Sequence, residues 1–262
     1  MKANDIKKHL KNNVDILVYE QLPSTNTEAK TLAINGANEF TTIIAKSQTQ
    51  GKGRLGRRFI SNSENGLYMS IILKPNIPPS ECVHITVLTA VAVMEAINET
   101  SGVDSDIKWV NDIYINDKKV CGILVESTCE NNIITNAIVG VGVNITPPQN
   151  GFDTEIKDIA TSIFDKIAPP NYKEILCAKI IDKIVHYYKN IKEKTYMNAY
   201  REKSNIINKE VDIYIGNDIF KGIAIDINDK AEIVVKMENG ETRIFNSGEA
   251  RVRKNGAKLS GK

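Results

Sequence analysis

Cysteine, histidine and tryptophan are scarce in this chain of 262 residues, with four, three and one respectively. Cys82, Cys121, Cys129 and Cys177 form no CxxC pair, which argues against a zinc site or a disulfide framework. Cys121 and Cys177 sit inside apolar periodic segments, where a small buried hydrophobe is expected. His9, His84 and His186 are too widely separated to suggest a metal cluster and read as surface or helix histidines. No unbroken apolar run of about 18 residues occurs, and Met1-Lys2-Ala3-Asn4-Asp5 opens no apolar signal region. A cytoplasmic protein without membrane attachment is the expectation. Charge of one sign is lacking too: 34 Lys and Arg against 32 Asp and Glu leave a formal +2. No global field recruits nucleic acid or anionic lipid, so any basic function must be local.

What is present suits an enzyme-sized α+β fold, 42% hydrophobic and 25% charged. Thr27 to Asn35 has helix formers and Gly36 just past its end, so it reads as a short helix opened by Ser24-Thr25-Asn26. Phe40 to Ala45 and Gly66 to Leu73 read as strands, the second stopped by Lys74-Pro75. The apolar-rich segment Cys82 to Glu99 is long enough for a core helix. Asp106 to Glu126 forms a hairpin turning at Asn116-Asp117, and Ile133 to Ile145 a further strand or strand pair. Asn171 with Glu174 resembles a capping box ahead of one long amphipathic helix carrying Ile180, Ile181, Ile184 and Val185. After about Asn205 the composition shifts to five short strand-like segments separated by Gly216-Asn217-Asp218, Asn228-Asp229 and Asn239-Gly240. These predict a small barrel of about 50 residues. A domain over residues 1–204 with a β module over 205–262 is expected.

Three clusters carry chemistry. In Ser47 to Phe59, SQTQGKGRLGRRF, the cations Lys52, Arg54, Arg57 and Arg58 stand among Gly51, Gly53 and Gly56. A dinucleotide fingerprint would need a helix next, whereas a polar irregular segment, Arg57 to Ser63, leads into a strand. A Walker A fails because Arg57-Arg58 follows Gly56, and a kinase loop fails because neither HRD nor DFG occurs. Glycines that admit close backbone approach, with guanidiniums that bind oxyanions bidentately, leave either a loop for two adjacent anions or a solvated basic turn. The second cluster, Lys108-Trp109-Val110-Asn111-Asp112, followed by Lys119 and Gly122, is either a site or a core aromatic with an Asx turn and an edge lysine. In the third, Val139-Gly140-Val141-Gly142-Val143-Asn144, alternating glycines thin a strand where a ligand or another strand packs against it.

In this order the motifs resemble those of the biotin protein ligases, which join biotin to a lysine of a carrier protein. The resemblance covers Val18 to Ile145 and is carried by Ser24-Thr25-Asn26, Gln48, Gly51 to Arg57, Lys108 to Asp112, Lys119, Gly122-Ile123-Leu124 and Gly140 to Asn144. It implies a mixed-sheet catalytic domain of the biotin/lipoate ligase type with a small C-terminal SH3-like β-barrel. It implies ATP and Mg2+, with biotin as substrate, biotin carboxyl carrier protein as acceptor, and a homodimer as one possible assembly. By resemblance, Ser24, Thr25, Asn26 and Gln48 line the ureido pocket, joined by Lys52, Gly53, Arg54, Lys119 and Gly122 around biotin. Arg54, Arg57, Phe59, Asn111, Asp112, Lys119 and Asn144 lie on the nucleotide side. Arg54, Lys119 and Asp112 are the implied catalytic groups, and no direct protein ligand to the metal is implied.

Three positions depart from the family pattern. Lys52 replaces an arginine fork by a point charge, Phe59 replaces a tryptophan expected to pack on adenine, and Val110 replaces a proline and loosens its turn. The rivals are a lipoate or octanoate ligase and a biotin-responsive DNA-binding regulator. The polar Ser24-Thr25-Asn26 and Gln48 set disfavours the first, because a plain acyl chain offers nothing to hydrogen-bond. About 20 residues before Ser24 are too few for a three-helix DNA module, which disfavours the second. Tyr214, Phe220 and Phe245 are too dispersed to form a stacking platform for RNA.

Overall fold

The computed structural model describes residues 1–61 and 64–253. Asn62, Ser63 and residues 254–262 lie outside them, so the expected Arg57 to Ser63 segment and the 205–262 module are described only in part.

Seven strands form one sheet in the order β1-β2-β3-β7-β6-β5-β4. They are β1 (Ile16–Leu22), β2 (Thr42–Gln48), β3 (Gly66–Leu73), β4 (Asp106–Lys108), β5 (Asp112–Ile115), β6 (Lys118–Glu130) and β7 (Ile133–Asn144). Only β1 and β2 run parallel. Every residue of β3 is buried, as its continuous apolar run requires of a strand covered on both faces. The tight turn at Asn116 and Asp117, both at positive φ, sets the β5–β6 hairpin.

Helix α2 (Thr25–Ile34) covers one face, packing Ala29 and Ala33 on Ile43, Ile72 and Ile138. The opposite face carries α3 (Cys82–Ser101), α4 (Tyr172–Lys189) and the short α5 (Tyr196–Glu202), with α1 (Ala3–Lys7) against α4. By composition alone Pro79–Ser101 is apolar enough to cross a membrane, at mean hydropathy 1.5, which amends the expectation of no such stretch. Its Ile85, Leu88 and Val91 are fully buried in the protein core instead. Each such side chain contributes about 1.5–3 kcal/mol of transfer free energy.

The capping box before α4 does not form. Asn171 sits in the left-handed region, at φ 58°, and makes no side-chain cap. Glu174 faces the N-terminal ammonium at 3.7 Å instead. Ile133 to Asn144 is a single strand rather than a pair, and Phe40 lies in a positive-φ turn before β2 rather than inside it.

The C-terminal segment builds a second, antiparallel sheet in the order β11-β10-β9-β8-β12. Its strands are β8 (Glu210–Ile215), β9 (Asp218–Ile227), β10 (Ile233–Met237), β11 (Thr242–Phe245) and β12 (Glu249–Val252). Among the described residues no ladder joins β11 to β12, so the expected barrel appears as a five-stranded sheet without ring closure. Its inner side chains, among them Val211, Ile213, Ile233 and Val235, continue the core of the large sheet. Trp109 bridges the two sheets, donating Nε1–H to the Ala231 carbonyl at 2.9 Å. Tyr200 donates to the Val110 carbonyl at 3.0 Å. The turn where Val110 stands is thereby tied on both sides.

Candidate functional site

A pocket opens over the middle of the large sheet, between the start of α2, the basic loop, and strands β6 and β7. One wall is a buried hydrogen-bond network. Gln48 Oε1 accepts from the Thr25 amide at 2.8 Å and from the Thr25 hydroxyl at 3.1 Å, while its Nε2 donates to Ser61 Oγ at 3.0 Å. Ser70, fully buried on β3, places Oγ 2.6 Å from Asn26 Oδ1 and 2.8 Å from Thr25 Oγ1. Ser24, Thr25 and Asn26 are themselves 3–4% exposed. Buried polar groups need partners, and the network supplies them for Thr25 and Asn26.

The basic loop folds as a tight hairpin rather than a solvated turn. Lys52 and Arg58 form an antiparallel bridge, and the Gly53 amide donates to the Arg57 carbonyl at 2.8 Å. Between them Arg54–Gly56 makes one 3-10 turn, whose tip residue, Leu55, has φ 55° and is exposed. The returning strand drops Phe59 onto β6 and β7. A Cβ at Gly142 would lie 2.6 Å from the Phe59 ring, and one at Gly122 would lie 3.3 Å from it and 3.1 Å from Lys119 Nζ. Gly142 and Gly122 therefore seat an aromatic side chain of the loop, which meets Tyr68 edge-on with centroids 6.3 Å apart.

The loop cations diverge. Lys52 and Arg54 line the pocket, and Arg54 Nη1 donates to Asn111 Oδ1 at 2.8 Å. Asn111 Nδ2 in turn donates to the Ile123 carbonyl at 2.7 Å, so the amide is fixed before it meets the guanidinium. Arg57 points away from the pocket and pairs with Glu249 on β12 at 2.6 Å. Partial burial raises the Glu249 carboxyl, but hydrogen bonds from Arg57 and Arg251 outweigh it and hold the group below the usual carboxylate range.

Across the β5–β6 hairpin Lys119 Nζ lies 2.7 Å from Asp112 Oδ1. Backbone bonds clamp Lys119 on both sides: its amide donates to the Ile159 carbonyl, and its carbonyl accepts from the Thr161 amide. Beside this pair Lys108 donates to the Tyr114 hydroxyl at 3.2 Å. Burial pushes the Lys108 ammonium below its ordinary value, against the pull of Asp112.

The pocket brings together Ser24, Thr25, Asn26, Gln48, Lys52, Gly53, Arg54, Phe59, Asn111, Lys119 and Gly122. Asp112 touches it through Lys119, and Arg57 lies outside it in contact with Glu249. Asn144 also lies outside, donating Nδ2 to the Thr161 carbonyl at 3.0 Å and so steadying the segment that clamps Lys119. Sequence reasoning missed Met69, which faces the pocket, and Ser70 and Glu126, which hold Asn26. Among the described residues no group of three or more His, Cys, Asp or Glu side chains gathers to hold a metal. Of the carboxylates beside the pocket, Asp112 already faces Lys119 and Glu126 already accepts from Asn26. Among the described residues these donors do not fit a resident magnesium ion.

Two family descriptions match the chain: the biotin/lipoate A/B protein ligase family over residues 18–144, and the biotin protein ligase C-terminal domain over 206–253. The bifunctional ligase/repressor BirA of Bacillus subtilis is 34% identical over 240 residues, 88% of this chain and 72% of that protein. The biotin–[acetyl-CoA-carboxylase] ligase of Mycobacterium tuberculosis is 26% identical over 243 residues, 88% of this chain and 86% of that one. The biotin protein ligase from Aquifex aeolicus, solved with biotin and ATP, superposes with a TM-score of 0.76 at 26% identity, covering 92% of this chain and 99% of that one. With its pocket, its basic loop and these relatives, the chain belongs to the biotin/lipoate A/B protein ligase family and is similar throughout to its biotin protein ligases.

Proposed function

We propose that this protein activates biotin with MgATP to biotinyl-5'-adenylate and transfers the biotinyl group to a lysine of a biotin carboxyl carrier protein. The observation that carries the reading is one pocket lined both by a buried amide-and-hydroxyl network and by Lys52, Arg54 and Lys119. The network suits a ureido ring, which has both donors and an acceptor. The cations suit a carboxylate and a phosphate brought into contact.

In the first half-reaction a biotin carboxylate oxygen attacks the α-phosphorus of ATP and pyrophosphate leaves. The carboxylate is already ionised at neutral pH, so the step needs positioning and charge neutralisation rather than a base. Arg54, fixed by Asn111, and Lys119, clamped at its backbone, hold the two anions together, with Lys52 beside them. Magnesium carried in on the ATP phosphates would supply charge neutralisation to the pyrophosphate. Phe59, Asn111, Asn144 and Arg57 belong to the nucleotide side of this assignment, Arg57 through the loop that its contact with Glu249 anchors.

In the second half-reaction the neutral amine of the carrier lysine attacks the acyl carbon, and AMP leaves with the bonding electrons. Asp112 takes the proton that the amine must lose. Residues 1–204 perform the chemistry, and 205–262 steady the loop through Glu249.

The test separates the half-reactions. Biotin with MgATP is expected to release pyrophosphate, and added carrier domain to become labelled in a stable amide. Pyrophosphate release with lipoate or octanoate but not with biotin would overturn the reading in favour of the acyl-chain ligases of the same family.

A further inference from the structure

We infer that Glu126 is a positioning residue that sets which end of the Asn26 amide faces the ligand, and so makes the pocket select for a ring N–H. This rests on the biotin reading given above. Asn26 is 4% exposed and lines the pocket, yet its orientation is decided from beneath. On one side Nδ2 donates to Glu126 Oε2 at 2.7 Å, with the Leu124 carbonyl 3.4 Å away. On the other side Oδ1 lies 2.6 Å from Ser70 Oγ.

A carboxylate and a carbonyl can only accept, so the NH2 must point at Glu126 and Leu124. Rotating the amide by half a turn would set its oxygen against both acceptors, whereas the Ser70 hydroxyl, which can donate or accept, would meet either end. Oδ1, which cannot donate, takes the one Ser70 proton and keeps a second lone pair. Gly140 gives this arrangement room, since a Cβ there would collide with Asn26 Oδ1. The pocket therefore presents a fixed acceptor at Asn26. A ureido N–H meets that second lone pair, whereas a dithiolane or a plain acyl chain excludes water from it and offers no hydrogen bond in return.

Glu126 stands half-buried on β6, outside the pocket, so it acts only through Asn26. With Glu126→Ala the amide loses the acceptor that fixes it, and both rotamers become accessible. With Glu126→Gln the side-chain Oε1 still accepts from Asn26.

Calorimetric titration of the full chain tests this, using biotin, a biotin analogue methylated on both ureido nitrogens, and ATP. Wild type is expected to bind biotin and discriminate against the methylated analogue. Glu126→Ala should weaken biotin about tenfold, the worth of one hydrogen bond, and narrow that discrimination while changing ATP affinity less than about twofold. Glu126→Gln should restore both affinity and discrimination. If Glu126→Ala lowers thermal stability alone, or weakens biotin and ATP equally, the positioning role falls while the biotin reading stands. If wild type binds no biotin, both fall.

Discussion

Lys119 and Asp112 face each other across the β5–β6 hairpin with 2.7 Å between ammonium and carboxylate, at the edge of a pocket that only Lys119 enters. The pair divides the proposed labour, because the cation serves the developing phosphate charge and the carboxylate serves the amine. Lys119→Ala is expected to slow biotin-dependent pyrophosphate release by about a hundredfold, the usual effect of removing one preorganised charge donor. Supplied with synthetic biotinyl-adenylate, the same variant should transfer to the carrier at close to the wild-type rate, whereas Asp112→Asn should not. Rapid-quench measurement of the two steps checks the division, and equal damage to both steps by both variants contradicts it.

Gly142 and Phe59 form the seat of the loop. A methyl at position 142 would lie 2.6 Å from the ring, too close for any side chain, and would force the hairpin outward. Gly142→Ala should therefore loosen retention of the adenylate while the fold survives. Without a carrier, the variant is expected to consume ATP several-fold faster than wild type, as released intermediate hydrolyses and the site turns over again. An ATPase assay with biotin present reads this directly, and an unchanged rate denies the ring a retaining role.

Much of this pocket's lining was legible in the order of its motifs, because Ser24-Thr25-Asn26, Gln48, Arg54, Lys119 and Gly122, each open to a bland reading alone, together follow a family pattern. Ser70 was not legible: inside GLYMSIIL it reads as a polar interruption of a core strand, and only the register of β3 under α2 reveals its partners. Glu126 was hidden in the same way, at the end of an alternating strand. The Arg57–Glu249 contact joins residues 192 apart in sequence, and no local pattern encodes such a pair. The capping-box reading at Asn171 failed because local spacing could not anticipate the N-terminal ammonium beside Glu174.

That long-range contact has a testable consequence. Arg57 anchors the loop to β12, and the pair is partly exposed, so it adds little to global stability. Glu249→Ala should raise the KM for ATP several-fold, leave the melting temperature within a few degrees, and speed tryptic cleavage in the loop. The Glu249 carboxyl is held below its ordinary range in the folded protein. A depressed carboxylate contributes its stabilisation above the unfolded value and loses it as pH falls through the folded one. Loop protection in wild type should therefore fade only in acid, below the ordinary carboxylate range. Brief proteolysis with an acid-active protease across that range checks the sign.

His84 gives a second pH dependence, remote from the pocket. It is 1% exposed in α3, its Nδ1 meets no partner among the described residues, and its Nε2 lies 3.6 Å from Glu81, with the Tyr196 ring edge-on at 6.0 Å. Burial first and Lys194 second lower its basicity, against Glu81 and Asp229, so the folded protein keeps it neutral. The unfolded chain then binds a proton more readily, and stability is full at neutral pH and falls as pH drops through the ordinary histidine value. His84→Leu should flatten the fall in melting temperature between about pH 7.5 and pH 5.5. An unaltered slope would assign the fall to other groups.

Lys52 is the departure closest to the chemistry. It stands on the bridge that closes the loop hairpin and lines the pocket beside Arg54, where the pattern implied by the resemblance has a guanidinium. A lysine offers a hydrated point charge on a flexible stem, whereas an arginine offers a planar fork that meets a carboxylate with two parallel hydrogen bonds. Since the hairpin is already held by the Gly53 amide and the seated Phe59 ring, exchanging the head group should leave the backbone unchanged. Lys52→Arg is then expected to lower the dissociation constant for biotin about three- to tenfold, through slower dissociation, as a second charge-assisted hydrogen bond forms. Stopped-flow fluorescence of biotin release measures it. A faster off-rate would mean that the extra bulk of the guanidinium obstructs the pocket, and that lysine is here because the closed loop leaves no room for the fork.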